Sequence, residues 1–200
     1  ATSWDADKNL IYGFNHEEFD PTQKVISYGS CTVNAFVPLG VFMDRQYCVR
    51  DADVNVVHNI QEYRLENNYT LNRKFCTLEK SAPELLGFVN SKNFTVNYTV
   101  VPYTGVSTID FRFRLEKCPS LEKLIADMEH GIHVGELRDL YDMQELDIGP
   151  EVHNCTTFSS VFIKENLRVL NDQVYIFAYF DNENSVNRYY DLANYIAGRK

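Results

Sequence analysis

The sequence has none of the short motifs that reveal an enzyme by their spacing. It contains no Gly-x-Ser-x-Gly, no P-loop, no Gly-x-Gly-x-x-Gly and no His-Glu-x-x-His. Catalytic groups can still be assembled in space from residues that are distant in sequence. The sequence alone therefore leaves the enzyme question open, favours binding over catalysis, and predicts no cofactor.

Long apolar runs and positive charge are also scarce. No run approaches the roughly 20 residues needed to span a bilayer, and the longest, residues 174–180, has the length of a buried strand. The 19 Lys and Arg residues are outnumbered by 28 Asp and Glu, which gives a formal net charge of −9. This charge would repel phosphate backbones and anionic membrane surfaces, so a nucleic-acid partner is not expected. The lack of a long apolar run argues against a membrane span. A cationic ligand or a basic protein partner remains compatible with it.

Four N-glycosylation sequons favour a secreted or cell-surface protein. Asn93 and Asn97 lie four residues apart, so on a strand they share the solvent face. The chain opens at Ala1 without a Met and has no signal peptide, which favours a processed, extracellular product. The predicted acceptors are Asn68, Asn93, Asn97 and Asn154.

The five cysteines are widely spread, with no Cys-x-x-Cys pair. This spacing argues against a zinc knuckle or a thioredoxin-type motif. In an extracellular protein five cysteines allow two disulfides and one odd thiol, and the pairing cannot be told from sequence. Cys76 alternates with polar residues and is the candidate for the exposed odd thiol. The predicted disulfide cysteines are Cys31, Cys48, Cys118 and Cys155.

The clearest structural signal is the alternation across residues 93–116. Apolar side chains take every second position on both sides of a Pro102–Gly105 breaker, which predicts an antiparallel hairpin with one buried and one wet face. Earlier segments also favour strands, in the order 25–49 (two or three short strands), 54–65, 69–78 and 85–89. About eight strands with short links predict an antiparallel meander that closes into a barrel or folds as a sandwich.

The pattern changes period after Cys118. Ser120 is expected to cap a helix, and a second helical stretch should end at Gly149 and Pro150. Residues 158–163 and 174–180 are predicted strands. Ser185 should cap a last helix with its apolar stripe facing inward, ended by Gly198. The fold class predicted for residues 1–200 is a single α+β domain, predominantly antiparallel β.

A run of antiparallel strands followed by a helix and a further strand resembles the layout of lipocalins, which carry small hydrophobic molecules inside a barrel. Lipocalins place Gly-x-Trp at the start of the first strand, whereas Trp4 here follows Ala1-Thr2-Ser3. An eight-stranded barrel is wide enough to hold one small ligand, and tyrosines would supply apolar walls with hydroxyls. Glu62 could meet a cationic amine. The candidate ligand-binding residues are Glu62, Tyr63, Tyr69, Phe75, Phe94, Tyr98, Phe111 and Phe113.

Three other segments carry residues suited to chemistry. Residues 129–136 contain Glu129, His130, His133 and Glu136, although their two glycines favour a solvated turn over a zinc site. Residues 181–185 resemble the first half of a calcium loop but lack its glycine and closing glutamate, so a turn explains them. His153 and Cys155 lie too close in sequence to meet as a catalytic pair, and a disulfide at Cys155 is favoured.

The sequence thus predicts a secreted, glycosylated protein that carries a small hydrophobic or aromatic ligand, or a cationic amine, in a β-barrel cavity. The alternative is an extracellular protein–protein interaction domain, either a surface glycoprotein or a secreted antagonist, whose aromatics are core. A third possibility is a secreted metal-dependent hydrolase that uses the His130 and His133 region.

Overall fold

The computed structural model describes residues 5–60, 73–102 and 105–198. Within these ranges the helices are α1 (Cys31–Tyr47), α2 (Leu78–Leu85), α3 (Leu121–His133) and α4 (Asn184–Ala197). The strands are β1 (Lys8–Asn9), β2 (Ile26–Ser27), β3 (Val49–Asn59), β4 (Phe94–Val101), β5 (Val106–Leu115), β6 (Tyr141–Gln144), β7 (Ser160–Ile163), β8 (Arg168–Leu170) and β9 (Gln173–Asp181). Short 3-10 segments occur at His16–Glu18, Pro150–His153 and Lys164–Asn166.

Seven of the described strands form one mixed sheet. Their order is β4-β3-β5-β9-β7-β6, with β8 also paired to β9. β3 pairs in parallel with β4 and antiparallel with β5, and β6 pairs in parallel with β7. Among the described strands β4 and β6 stand at the two ends of this order and do not pair with each other, so the sheet is open.

This topology shows that the predicted antiparallel meander, barrel or sandwich is wrong. Both halves of residues 93–116 are strands, but they do not pair as a hairpin, because β3 lies between β4 and β5. Alternation identifies a half-buried strand without identifying its neighbour. The parallel β3–β4 pair needs a long crossover connection rather than a tight turn, and α2 lies within that connection.

The largest local error concerns the strands predicted within residues 25–49, most of which form a 17-residue helix, α1, while Ile26–Ser27 (β2) and Val49 at the start of β3 are strand. The N-cap of α1 is Ser30, whose Oγ accepts a hydrogen bond from the Val33 amide. Pro38 lies inside the helix, where proline ordinarily breaks the hydrogen-bond ladder. Together with the valines, this proline made the segment resemble interrupted strands.

Tyr141 compensates for the break at Pro38. Its hydroxyl accepts a hydrogen bond from the Leu39 amide at 3.1 Å and lies 2.9 Å from the Ala35 carbonyl and 3.2 Å from the Asn34 carbonyl. Pro38 has no N–H to donate to Asn34, four residues earlier. A buried tyrosine on β6 therefore supplies the polar partners that the helix lacks.

Other elements predicted from the sequence also differ from those in the structure. Within the predicted 69–78 strand, residues 73–76 have no regular structure and Leu78 begins α2, while residues 69–72 lie outside the described ranges. Residues 86–89 are not a strand either. The second helical stretch predicted up to Gly149 consists of turns followed by β6. By contrast, α3 begins directly after its predicted N-cap, Ser120, whose Oγ accepts from the Lys123 amide.

The core lies between α1 and one face of the sheet. The Phe36 ring stacks against Phe113 and Phe111, with ring centroids 5.9 Å and 6.2 Å away, and it also contacts Phe94 at 5.0 Å. All four rings are at least nine-tenths buried. The sheet aromatics that were expected to line a ligand cavity therefore fill the helix–sheet interface instead.

The last helix, α4, ends at Gly198 as predicted, but it begins at Asn184 with Glu183 as its N-cap, so the prediction of a Ser185 cap and of an inward apolar stripe is wrong. Val186, Tyr189 and Tyr190 are more than half exposed, whereas Asn184, Arg188 and Leu192 are buried. Arg188 is paired with Asp191 at 2.8 Å and donates to two backbone carbonyls, those of Asp139 and Thr157. Hydrogen-bonded polar side chains thus occupy part of the inner face, which an apolar stripe cannot reveal.

Candidate active site

A cysteine and a histidine meet at the end of the sheet where α1 begins. The Sγ atom of Cys31 lies 3.4 Å from Nε2 of His58, within hydrogen-bonding distance for sulfur. Cys31 is the first residue of α1 and is partly exposed, and His58 is the penultimate residue of β3. A thiol in contact with an imidazole is the arrangement that activates cysteine nucleophiles.

The local sequence explains why the two side chains meet. Ser30 caps α1, so Cys31 stands in the first turn, where unpaired backbone amides and the helix dipole favour a thiolate. Val54 and Val56 point into the core, and the strand period places His58 on the same face. The His58 ring is positioned between Tyr98 and Phe180, with ring centroids 5.6 Å and 5.7 Å away.

Burial sets the resting protonation of the pair. Burial first, and then the nearby Cys76, raise the pKa of the Cys31 thiol to about 12, against the opposite effect of the backbone amides of Thr32 and Cys31. Burial also lowers the pKa of His58 below its ordinary value. Both shifts favour the uncharged forms near pH 7, so the resting pair consists of a thiol and a neutral imidazole. In the tautomer with its proton on Nδ1, Nε2 can accept the thiol proton.

His58 opens onto a cleft of about 660 Å³, a size typical of small-molecule sites. One wall comes from the end of β3, a second from the end of β9 and the first turn of α4, and a third from the loop after the Pro150–His153 segment. The lining residues are His58, Asn59, Ile60, Gly105, Asn154, Cys155, Thr156, Asp181, Asn182, Glu183, Val186 and Asn187.

Amide side chains fix the walls of the cleft relative to each other. Asn182 Nδ2 donates to the Asn59 carbonyl at 2.7 Å, and its Oδ1 accepts from the Ser107 hydroxyl. The fully buried Asn184 donates to the Cys31 carbonyl at 3.3 Å and to the Ser159 carbonyl at 2.6 Å. The start of α4 is therefore tied directly to the backbone that carries the thiol.

A cluster of hydroxyl groups lies at the adjoining helix N-termini. Ser30 Oγ is 2.8 Å from Thr77 Oγ1 and 3.2 Å from Thr32 Oγ1. Thr77 precedes α2, and Thr32 belongs to the first turn of α1. Hydroxyls beside a helix N-terminus are well suited to bind phosphate oxygens.

The predicted ligand-binding residues do not form one cavity. Phe94, Phe111 and Phe113 are core residues. Phe75 is 61% exposed, and only Tyr98 lies near the thiol–imidazole pair. Glu62, Tyr63 and Tyr69 lie outside the described residues.

All five cysteines in the described chain are free thiols, so the disulfide prediction for Cys31, Cys48, Cys118 and Cys155 is wrong. The expected exposed thiol, Cys76, is instead 4% exposed.

The sequon asparagines occupy different environments. Asn97 and Asn154 are exposed, whereas the Asn93 side chain donates to the Arg50 and Phe88 carbonyls. Asn68 lies outside the described residues.

The residues proposed for a metal site, a calcium loop and a His153–Cys155 pair do not form such sites among the described residues. Within residues 5–60, 73–102 and 105–198 no group of three His, Cys, Asp or Glu side chains could hold a metal ion. Glu129 pairs with Lys164, and Glu136 pairs with Arg45. Asp181 accepts from the Cys155 and Glu183 amides, as expected for a turn. His153 stacks on Tyr179 rather than approaching Cys155 as a catalytic partner.

Curated proteins similar to this chain are glyceraldehyde-3-phosphate dehydrogenases. Glyceraldehyde-3-phosphate dehydrogenase 1 of Bacillus cereus is 23% identical over the whole chain and 64% of its own length. Glyceraldehyde-3-phosphate dehydrogenase 1 of Giardia intestinalis is 25% identical over 95% of the chain and 61% of its own length. The cytosolic enzyme of Pisum sativum is 25% identical over 94% of the chain and 60% of its own length. The chain thus spans about three-fifths of the length of these relatives, and no protein-family model matches it.

These similarities overturn the functional interpretation drawn from the sequence. The secreted, glycosylated carrier of a hydrophobic ligand is wrong, because the relatives are named as dehydrogenases and the sheet is open rather than a closed barrel. The extracellular interaction domain and the secreted metal-dependent hydrolase offered as alternatives are wrong with it. The extracellular location, predicted from the sequons and the missing Met, is also wrong, because the relatives include an enzyme named as cytosolic and the cysteines form no disulfide among the described residues. No helix within the described ranges is long and apolar enough to cross a membrane, consistent with the absence of a predicted span.

The sequence analysis missed both Cys31 and His58 as functional residues. Cys31 was assigned to a disulfide because the chain was predicted to be extracellular, and its place at a helix start was missed because residues 25–49 were interpreted as strands. The available signal was Ser30-Cys31-Thr32, in which an N-cap serine places the thiol at a helix start. No comparable signal marked His58, whose role depends on how β3 and α1 meet.

Proposed function

We propose that this chain carries the nucleophilic thiol of an enzyme that oxidises an aldehyde, with Cys31 as the nucleophile and His58 as its base. The observation that carries the proposal is the 3.4 Å contact between Cys31 Sγ and His58 Nε2 at a helix N-terminus beside the cleft. The relatives, named as dehydrogenases of a phosphorylated aldehyde, support the same chemistry.

The chemistry follows from the protonation states of the pair. As an aldehyde approaches, the Cys31 proton passes to His58 Nε2, and the sulfur bonds to the carbonyl carbon. The imidazolium then returns the proton to the former carbonyl oxygen, which yields a neutral thiohemiacetal. His58 thus acts first as base and then as acid, a role that its lowered pKa favours because it returns protons readily.

Oxidation of the thiohemiacetal requires a hydride acceptor such as a nicotinamide dinucleotide. The sequence contains no Gly-x-Gly-x-x-Gly turn to bind such a dinucleotide, and among the described residues of the cleft the Asn182 side chain is already bonded to Asn59 and Ser107. We therefore assign to these residues the thiol chemistry and not the binding of the acceptor.

The hydroxyl cluster supports a phosphorylated aldehyde as substrate. Ser30, Thr32 and Thr77 lie beside the first turn of α1, close to the nucleophile. The partly exposed hydroxyls of Ser30 and Thr77 can turn to donate to a phosphate oxygen, whereas Thr32 is buried, and the helix N-terminus favours the negative charge.

The experiment is acylation of the full chain by p-nitrophenyl acetate, which requires no cofactor. The wild type should release a rapid burst of p-nitrophenolate equivalent to one acetyl group per chain. Cys31→Ser should abolish the burst, and His58→Gln should slow it by roughly 10²- to 10⁴-fold, the usual contribution of a general base. Glyceraldehyde 3-phosphate added beforehand should delay the burst by occupying the thiol.

Cys155→Ser is the matched control, because Cys155 is an exposed thiol that lines the same cleft. Its burst should equal that of the wild type. A burst that survives in Cys31→Ser, or disappears in Cys155→Ser, would assign the nucleophile elsewhere and overturn the proposal.

A further inference from the structure

A second thiol lies beside the nucleophile. Cys76 is buried immediately before α2, and its Sγ is 3.4 Å from Thr32 Oγ1, on the residue that follows Cys31. The Lys74 amide donates to the Tyr98 carbonyl at 2.8 Å, which holds the segment leading to Cys76 along the outer side of β4. The segment before α2 is thus fixed against the start of α1 by contacts on both sides.

Electrostatic effects support the closeness of the two sulfur atoms. A charge on Cys76 raises the pKa of Cys31, after the larger effect of burial. Both thiols also raise the pKa of the Tyr98 hydroxyl, again after burial. The ring of Tyr98 contacts His58 as well.

The remaining thiols are placed differently. Cys48 follows the last residue of α1, and a 17-residue helix is about 25 Å long. Cys118 affects the pKa of Tyr47 at that same far end of α1. Cys155 is exposed on the wall of the cleft formed by the loop before β7.

We propose that Cys31 and Cys76 form a reversible disulfide when a peroxide oxidises the active-site thiol, which makes this pair an oxidation site separate from the aldehyde chemistry. This bond would arise only on oxidation, unlike the permanent disulfides that the cysteine count first predicted. Cys76 acts as the resolving thiol, and its partner is the nucleophile itself.

The oxidation proceeds in two balanced steps. His58 takes the Cys31 proton, the sulfur attacks one peroxide oxygen, and the O–O bond breaks to give Cys31 sulfenic acid and hydroxide, which His58 reprotonates to water. The Cys76 sulfur then attacks the Cys31 sulfur, the S–O bond breaks, and the Cys76 proton leaves with the hydroxide as a second water. Two thiols are oxidised, and one peroxide is reduced to two waters.

Such a bond would protect the nucleophile. A sulfenic acid that meets further peroxide is converted to sulfinic and sulfonic acids, which dithiols do not reduce. Capture by Cys76 would divert Cys31 from that outcome, and a dithiol would restore both thiols. The buried position of Cys76 keeps it away from peroxide in solution until Cys31 has reacted.

The test is treatment of the full wild-type chain with hydrogen peroxide, followed by intact mass and peptide mapping without reduction. The chain should become lighter by about 2 Da, the two hydrogen atoms lost on disulfide formation. Two of the five cysteines should resist alkylation, and the mapped crosslink should join Cys31 to Cys76. Dithiothreitol should restore both thiols.

Cys76→Ser should instead gain about 32 Da at Cys31, the mass of a sulfinic acid, and dithiothreitol should not reverse it. Cys118→Ser is the matched control and should form the crosslink as the wild type does. The proposal would be overturned if the wild type gained about 32 Da at Cys31, as Cys76→Ser should. A crosslink from Cys31 to Cys155 would also overturn it. The readout is mass, so the result does not depend on whether the chain oxidises aldehydes. The crosslink is mapped in the wild type, so it does not depend on whether Cys76→Ser folds.

Discussion

At the scale of single residues, the chemistry depends on two side chains whose ordinary behaviour is altered by burial. The raised pKa of Cys31 and the lowered pKa of His58 both oppose a resting thiolate–imidazolium pair. Cys31 therefore reacts through the small fraction of thiolate present at a given pH, or by concerted transfer of its proton to His58.

The rate of alkylation of Cys31 by iodoacetamide should therefore rise with pH, by about tenfold per unit between pH 7 and 9. The raised pKa places this whole range below the titration of the thiol, so no plateau is expected within it. Peptide mass spectrometry would follow the label at Cys31, with Cys31→Ser confirming the peptide. A rate that levels off below pH 8 would instead indicate a stable thiolate–imidazolium pair.

At the scale of elements, α1 holds the nucleophile even though a proline interrupts it. The hydroxyl of Tyr141 accepts from the Leu39 amide and lies within hydrogen-bonding distance of the Asn34 and Ala35 carbonyls, replacing bonds that Pro38 prevents. The same tyrosine stacks on Phe162 of β7, with ring centroids 5.1 Å apart. One side chain thus repairs the helix and fixes it against the sheet.

Tyr141→Phe should lower the free energy of unfolding by about 1–3 kcal/mol, because it leaves buried polar backbone groups without partners while preserving the ring. Urea denaturation would measure the loss. Tyr175→Phe, at a partly exposed tyrosine on β9, is the control and should change stability little. Equal midpoints for Tyr141→Phe and the wild type would show that water replaces the hydroxyl.

Elements that are determined by neighbouring residues were predicted correctly from the sequence. Elements that depend on a contact with a distant residue were not. Ser120 marked the start of α3 because a cap acts on its own helix. The Pro38 helix was missed because Tyr141, which makes it tolerable, lies 102 residues from Leu39. The β4–β3–β5 order was missed because alternation carries no information on neighbours. The contact between Cys31 and His58 depends on both the α1 helix and the strand order. Since neither was predicted, the pair could not be predicted.

At the scale of the whole molecule, the buried His153 and the partly buried His58 link stability to pH. Burial lowers the pKa of both His58 and His153 from the ordinary value of 6.5. Below that value the unfolded chain binds protons that the folded chain does not, so folding becomes less favourable as pH falls toward the lowered pKa values. Above pH 6.5 this contribution to stability is fully present.

That residues 1–200 form a single domain stays a prediction.

The urea midpoint should therefore be lower at about pH 5.5 than at about pH 7.5, the range in which ordinary histidines titrate. His153→Asn should reduce the difference, since it removes one of the two groups. His133→Asn, at an exposed histidine, should leave the difference unchanged. A midpoint that is the same at both pH values in the wild type would show that these histidines titrate alike in the folded and unfolded chains.

The tie between α1 and Tyr141 also bears on synthesis. The thiol-bearing helix leaves the ribosome before the hydroxyl that completes it, which emerges about a hundred residues later. The amide of Asn184, which holds the Cys31 carbonyl, follows 153 residues after the cysteine. Nascent chains shorter than this should hold the cysteine in an incomplete helix, open to oxidation or to capture by chaperones. The nucleophile becomes competent only when translation of this region is nearly finished, so truncated products would be inactive.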